Sequence, residues 1–168
     1  ATYGQYNSGG NDYGDVNKWI VEALESHLHA HNWVVVLKTA IAYHRLMQDG
    51  SDAWNVAMAT RRGLFSLSHT KDLADSPDGA EQQIFITNYL RYLEERQIAQ
   101  AANHTRMKGM RIENQAFANQ LLSVPGREAV TVTSSLLLQF ETAIDVQFIP
   151  HAVNNFATLQ GHRNCLND

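Results

Sequence analysis

One stretch limits the fold of this chain more than any other, the twenty residues HNWVVVLKTAIAYHRLMQDG at positions 31–50. Apolar residues recur there at steps of three and four, the period of an α-helix, and Gly50 is typical of a helix end. Further valines and a leucine widen the apolar surface to most of the circumference. Because such a helix must be covered on more than one side, we expect it to be central. Its predicted core residues are Trp33, Val36, Leu37, Ala40, Ile41 and Met47.

Two further helices are predicted in the N-terminal half of the chain. The first covers 16–30 and has Asp15 as its N-terminal cap. Its predicted apolar face consists of Trp19, Ile20, Ala23, Leu24 and Leu28. The second covers 53–61, capped by either Ser51 or Asp52, and a turn follows it.

The C-terminal half is predicted to begin with a loop over 70–80, where Asp, Ser, Pro and Gly cluster. Four helices follow, at 82–106, 110–124, 126–144 and 149–167. The long helix at 82–106 has a predicted apolar face of Ile84, Phe85, Tyr89, Tyr92, Leu93 and Ile98. About seven helices with short links and no convincing strand predict an all-α fold, in which helices stack as an α-solenoid.

Length and charge restrict the class of protein further. The chain has 168 residues, enough for one domain with a sizeable core, and a formal net charge of -4. That balance argues against binding nucleic acid through the bulk surface. One cysteine allows no internal disulfide, and no apolar run approaches the roughly 20 residues that span a bilayer. Residues 1–15 contain four glycines and are predicted to be flexible or a trimmed end, followed by one helical domain over 16–168.

The eight histidines are the first candidates for chemistry. His27 and His31 would share a helix face, but a zinc site needs a third ligand, and no HExxH motif is present. We therefore predict no metal site and no cofactor. His44 lies beside the apolar surface of the central helix, where a hydrogen-bonded core histidine is expected more often than a ligand.

Catalytic patterns are not recognisable in this sequence. Glu94 and Glu95 are consecutive, so their carboxylates diverge around a helix, whereas paired-carboxylate catalysis needs them to converge. Cys165 has no recognisable base beside it, and no glycine-rich phosphate loop follows a strand. A helical stack without a reactive group favours a binding or scaffold module over an enzyme.

Three segments, in order, resemble signatures of the ANTH domain family, membrane-binding modules of clathrin-assembly and endocytic adaptor proteins. They are NWVVVLKTAIAYHRLMQDG at 32–50, MATRRGLFSLSHT at 58–70 and FITNYLRYLEER at 85–96. The second segment departs from the family pattern at His69 and Thr70, and the third has Thr87 in place of a usual arginine. Each signature alone is a loose apolar pattern, but three in order at family-like spacing are much more specific.

The resemblance implies a right-handed superhelix of the ANTH, ENTH and VHS type and a role in clathrin-coated vesicle formation. It implies peripheral binding to inositol phospholipids of the plasma membrane or of coated pits and vesicles, from the cytoplasmic side. It also implies contacts with clathrin and adaptor proteins through a tail that these residues do not include, and with cargo such as SNARE helices. Nucleic acid is not among the expected partners.

The family's lipid-binding lysine cluster has no counterpart here. Residues 1–17 contain no Lys or Arg, and Lys18 stands alone. Either the chain begins after the lipid-binding helices or this relative has lost them, and the glycine-rich start favours the first explanation. His31 and Lys38 are the remaining candidates for lipid contact. The alternative function is a protein-interaction solenoid that binds peptides or SNARE-like helices without lipid.

Overall fold

The structure, a computed structural model, describes residues 12–66, 73, 77–103, 125–146 and 156–166. Helices account for most of these residues, and no strand occurs among them. The six helices in the described part of the chain are α1 (Asp12–Leu28), α2 (Trp33–Asp49), α3 (Asp52–Thr60), α4 (Pro77–Asn103), α5 (Gly126–Ile144) and α6 (Phe156–Leu166). The all-α prediction is therefore confirmed. None of these helices is both long enough and apolar enough to cross a bilayer.

Polar side chains fix the starts of α2 and α3. Asn32 Oδ1 accepts hydrogen bonds from the backbone N–H groups of Val34 and Val35, at 2.9 and 3.4 Å. Ser51 Oγ accepts one from Trp54 N–H at 3.3 Å, which settles the choice between Ser51 and Asp52 in favour of the serine. Each bond satisfies a backbone donor that has no partner within the helix. The caps therefore stabilise the two points at which the chain enters α2 and α3.

The helix at the centre is α2, as the sequence predicted. It packs against α1, α3, α4 and α6. Its fully buried residues lie within somewhat less than half of its circumference, and half-buried residues flank them on both sides. The fully buried residues are Val36, Leu37, Thr39, Ala40, Tyr43, His44 and Met47. α4 also packs against α3 and α5, so the described helices form a stack.

Contacts between distant segments hold the layers together. Tyr43 of α2 donates a buried hydrogen bond of 2.6 Å to the carbonyl oxygen of Val21 in α1. Gln97 of α4 donates to the carbonyl oxygens of Met58 and Arg61, at 2.6 and 2.7 Å, and so satisfies acceptors at the end of α3. These side chains supply the partners that buried or terminal backbone groups require.

Several helix boundaries differ from those predicted. α1 begins at Asp12, so Asp15 lies within the helix and the prediction that it caps the helix is wrong. α4 begins at Pro77, inside the predicted loop over 70–80, because proline is well tolerated in the first turn of a helix. The predicted helix over 110–124 and the start of the one over 149–167 lie outside the described residues, as do residues 1–11 of the predicted flexible segment.

Many residues of the predicted apolar faces are buried, but others on the same faces are half-buried or exposed. Val36, Leu37, Ala40 and Met47 are buried, but Trp33 and Ile41 are only half-buried. Trp19, Ile84 and Ile98 are exposed, whereas Val21, absent from the predicted face of α1, is buried. A helix surrounded by apolar residues offers several possible core faces, and contacts with neighbouring helices select one of them.

Candidate functional site

The two candidate lipid-contacting residues lie on exposed surface near the start of α2. His31 precedes the capping residue Asn32, and Lys38 lies in the second turn of the helix. His27 is exposed in the last turn of α1, and His29 is half-buried in the connection. Three imidazoles thus share this corner, but the connection from 27 to 32 contains no Lys or Arg. This connection therefore supplies no permanent positive charge.

Arg61, which matches the family signature, is engaged within the fold. Its Nε lies 2.9 Å from Glu25 Oε2 of α1, and its Nη2 contacts the same oxygen. The hydrogen bond to Glu25, together with the attraction of that carboxylate, raises the pKa of Arg61. Burial raises the pKa of the nearby Tyr43 phenol, with a smaller contribution from the negative charge of Glu25, so Tyr43 stays protonated. Arg61 therefore joins α3 to α1 rather than offering a free cation to a phosphate.

The most polar part of the core lies between α2 and α4. His44 is fully buried, and its Nδ1 shares a hydrogen bond of 2.7 Å with the hydroxyl of Tyr89. The rings of Tyr89 and Tyr92 lie 5.7 and 5.6 Å from the imidazole, centre to centre. This confirms that His44 is a hydrogen-bonded core histidine. Tyr89 and Tyr92 belong to the predicted apolar face of α4 and, with Phe85, are called its aromatic stripe; their rings pack against α2. The hydrogen-bonded pair of His44 and Tyr89 specifies the register of the two central helices.

Tyr89→Phe is expected to lower the free energy of unfolding by about 1–2 kcal/mol, since the imidazole keeps its burial but loses one hydrogen bond. The measurement is urea unfolding followed by circular dichroism. Tyr92→Phe, which removes the hydroxyl of the other tyrosine ring beside His44, is the comparison on the same helix. A Tyr89→Phe chain as stable as the parent would show that this bond contributes nothing to the register of α2 and α4.

Metal and nucleophile chemistry receive no support from the described residues. Among them no three His, Cys, Asp or Glu side chains lie together in a way that could hold a metal ion. Cys165 is buried in α6. Nearby, Gly161 of α6 packs over the rings of Phe85 and Tyr89, where an added Cβ would stand at ordinary contact distance, 3.4 Å. α6 thus closes the core over the aromatic stripe of α4.

α5 carries an exposed apolar face that was not predicted from the sequence. α5 turns Val132 and Thr142 inward, towards the side on which it meets α4. It exposes 67% of Val130, 57% of Leu137, 64% of Phe140 and 55% of Ile144. Together with the exposed Thr133, these four residues are called the α5 stripe. In the sequence these residues recur at alternating steps of three and four positions.

Comparisons with known proteins place these observations in a family. A family model described as "ANTH domain" matches residues 12–147. The clathrin coat assembly protein AP180 of Mus musculus is 38% identical over 65 residues, which are 39% of this chain and 7% of that protein.

Two further relatives give similar figures. A putative clathrin assembly protein of Arabidopsis thaliana is 41% identical over 69 residues, 39% of this chain and 11% of the relative. The phosphatidylinositol-binding clathrin assembly protein of Homo sapiens is 37% identical over 68 residues, 40% of this chain and 10% of the relative. The chain thus matches about a tenth or less of the length of these relatives. No solved structure gives a significant match.

Proposed function

Because the chain belongs to the ANTH domain family, we propose that it is an adaptor domain acting in clathrin-coated vesicle formation. In this role it binds inositol phospholipids, cargo or both at the cytoplasmic face of the plasma membrane or of coated pits and vesicles. The observation that supports the proposal is the family match over residues 12–147, which spans five of the six described helices in full. The proposal assigns no enzymatic step to the chain.

The names of the relatives define the partners to be tested. They are described as clathrin assembly proteins, and one of them as phosphatidylinositol-binding. Clathrin, adaptor proteins and inositol phospholipids are therefore the proposed partners, while the matched stretch covers only a small part of each relative. Localisation of the tagged chain in cultured cells tests the proposal. Coincidence with clathrin light chain at the plasma membrane is expected, and a uniform cytosolic signal would contradict it.

Electrostatics limits what Lys18 and Lys38 contribute to lipid binding. Each Lys or Arg near an anionic bilayer contributes about 1 kcal/mol, and millimolar affinity corresponds to about 4 kcal/mol. Lys18 and Lys38 are both exposed and lie on different helices. The sum of their contributions, about 2 kcal/mol, falls short of millimolar affinity. We therefore infer that these residues alone hold phosphoinositide membranes only weakly.

Weak, salt-dependent binding to phosphoinositide vesicles is the expected result at pH 7.4 and 150 mM salt. Binding should increase at low salt. At physiological salt, attraction between exposed charges is screened beyond about 8 Å, and this distance grows as the salt concentration falls. It should also increase at pH 5.5, because histidine side chains in general are the groups that gain positive charge on mild acidification. Co-sedimentation with vesicles that contain or lack a phosphoinositide measures both effects.

Two variants and one control localise the contact. His31→Gln should remove part of the increase at pH 5.5, and Lys38→Ala should weaken binding at both pH values. Arg163→Ala, which removes an exposed charge from α6, is the control and should change little. Tight, phosphoinositide-dependent binding of the parent chain at neutral pH would overturn the inference of weak attraction and point to another basic site.

A second candidate function is a solenoid that binds amphipathic helices without lipid. The specific observation in its favour is the α5 stripe, since large exposed apolar patches mark interaction surfaces. The two candidates differ in their dependence on salt. An apolar helix contact persists at 500 mM salt, whereas a lipid contact through exposed cations is lost.

A further inference from the structure

The α5 stripe has the spacing of one side of a coiled coil. Its members alternate at steps of three and four, so they occupy the positions called a and d, with Val130, Leu137 and Ile144 at a and Thr133 and Phe140 at d. The stripe is about 21 Å long at 1.5 Å per residue. The α4 contact lies on the opposite side of the helix, where Val132 and Thr142 are buried, and the four apolar stripe residues stay more than half exposed in the described part of the chain. Such a seam is complementary to another helix with the same spacing.

Two opposite charges flank the stripe on one side. Arg127 and Glu141 lie fourteen residues apart, both at the position called e, and both are exposed. Neither side chain forms an ion pair with another residue that the structure describes. On the other flank lies the half-exposed Leu136. The flank with Arg127 and Glu141 is therefore positive at its N-terminal end and negative near its C-terminal end.

This reversal makes the stripe complementary to itself when a second helix runs antiparallel. In that alignment Val130 faces Phe140 of the second copy, and Thr133 faces Leu137 of the second copy. Arg127 then stands beside Glu141 of the second copy, and the two-fold symmetry repeats this pair at the other end. Leu136 meets Leu136 of the second copy near the axis. We propose that α5 pairs with α5 of a second copy of this chain in an antiparallel, two-fold contact.

The charges favour this occupant over a lipid surface. A helix that lies on an anionic bilayer carries Lys or Arg on both flanks of its apolar face. The α5 stripe instead has one cation and one anion, at opposite ends of a single flank. The proposal goes beyond the proposed adaptor function, since it concerns contact between copies and not attachment to clathrin or lipid.

The expected dimer is weak. One pair of helices in contact over about 21 Å buries less than the roughly 1,600 Å² of a standard stable interface. A dissociation constant in the micromolar range is therefore expected. Two copies joined at α5 would place two domains side by side, so that weak contacts with a common surface add through avidity.

Sedimentation velocity of the full chain between 1 and 200 μM is the first test. A concentration-dependent shift from monomer to dimer is expected. Leu137→Glu should weaken the dimer at least tenfold, and Ile98→Glu, at a similarly exposed apolar residue of α4, should leave it unchanged. Thermal unfolding by circular dichroism verifies that each variant is folded. A chain that stays monomeric at 200 μM, or an equal effect of both variants, overturns the proposal.

Charge reversal separates pairing between copies from every other occupant of the stripe. Arg127→Glu places four carboxylates at the contact and Glu141→Arg places four guanidinium groups, so each variant alone should be monomeric. A mixture of the two should dimerise again, because both contacts become attractive. No recovery on mixing overturns the proposal, as would occur if another part of the chain, a lipid or a different protein covers the stripe.

Cysteine substitution tests the antiparallel direction. Ser134→Cys lies beside the proposed axis and should form a disulfide-linked dimer under mild oxidation. Val130→Cys lies far from its own symmetry mate and should link at least tenfold more slowly. The parent chain, whose Cys165 is buried, is the control. Faster linkage of Val130→Cys than of Ser134→Cys indicates a parallel pair and overturns the antiparallel assignment.

Discussion

Leu37→Ala is expected to lower the free energy of unfolding by about 3–5 kcal/mol, since a buried leucine loses its packing and leaves a cavity. Leu37 has no exposed surface and lies in α2, which packs against four of the other described helices. The cavity therefore has little room to collapse, which places the cost in the upper part of the usual range. Urea unfolding followed by circular dichroism and tryptophan fluorescence measures the change.

Trp33→Ala is the informative comparison for Leu37→Ala. The sequence alone ranks Trp33 with the core, which would imply a loss of similar size. Trp33 is half-buried in the structure, so we expect a smaller loss of about 1–2 kcal/mol from partial burial. A tryptophan variant less stable than the leucine variant would show that the rotation of α2 is wrong.

Gly50→Ala is expected to lower the free energy of unfolding by about 1–3 kcal/mol, because the added methyl group would overlap neighbouring atoms. A Cβ at this position would stand 2.8 Å from Trp54 Cδ1 and even closer to the carbonyl oxygen of Leu46. Gly50 N–H donates to that same carbonyl at 2.9 Å, so the backbone cannot move away without loss of the bond. The expected loss comes from close approach, since the φ of Gly50 is -71° and suits any residue.

Gly126→Ala is the matched control for Gly50→Ala. Gly126 begins α5, and an added Cβ there would meet nothing within 4 Å. Because alanine is the better helix former, this change should be neutral or stabilise by up to about 1 kcal/mol. Thermal unfolding of the two variants side by side measures the difference. Equal stability would mean that the α2–α3 connection adopts another conformation in solution.

Local sequence signals accounted for the helices because the signals themselves are local. The asparagine before α2 and the serine before α3 cap their helices through bonds that span two or three residues. The range of α5 was predicted correctly in spite of its β-branched start, because Pro125 and the apolar period that follows define it. The buried hydrogen bond of His44 was expected because His44 lies beside the apolar surface of α2, and a buried imidazole needs a hydrogen-bond partner.

Residues on the helix faces were harder to assign. Trp19 and Ile84 belong to apolar periods, yet both face outward, since each helix has more apolar residues than one neighbour can cover. Arg61 matched a signature as a basic residue, and only the fold reveals that Glu25, thirty-six positions earlier, engages it. The α5 stripe follows only from the fold, because α4 packs on the opposite side of α5.

The sequence by itself determined the all-α fold, the central place of α2 and membership of a family through three ordered signatures. These depend on periods and caps, which a few neighbouring residues encode. The tertiary structure decided which side of each helix is buried, which charges are paired and which apolar surface remains open. These depend on the packing angle and register between helices far apart in sequence, where several faces are nearly equal in apolar content and the neighbours select one.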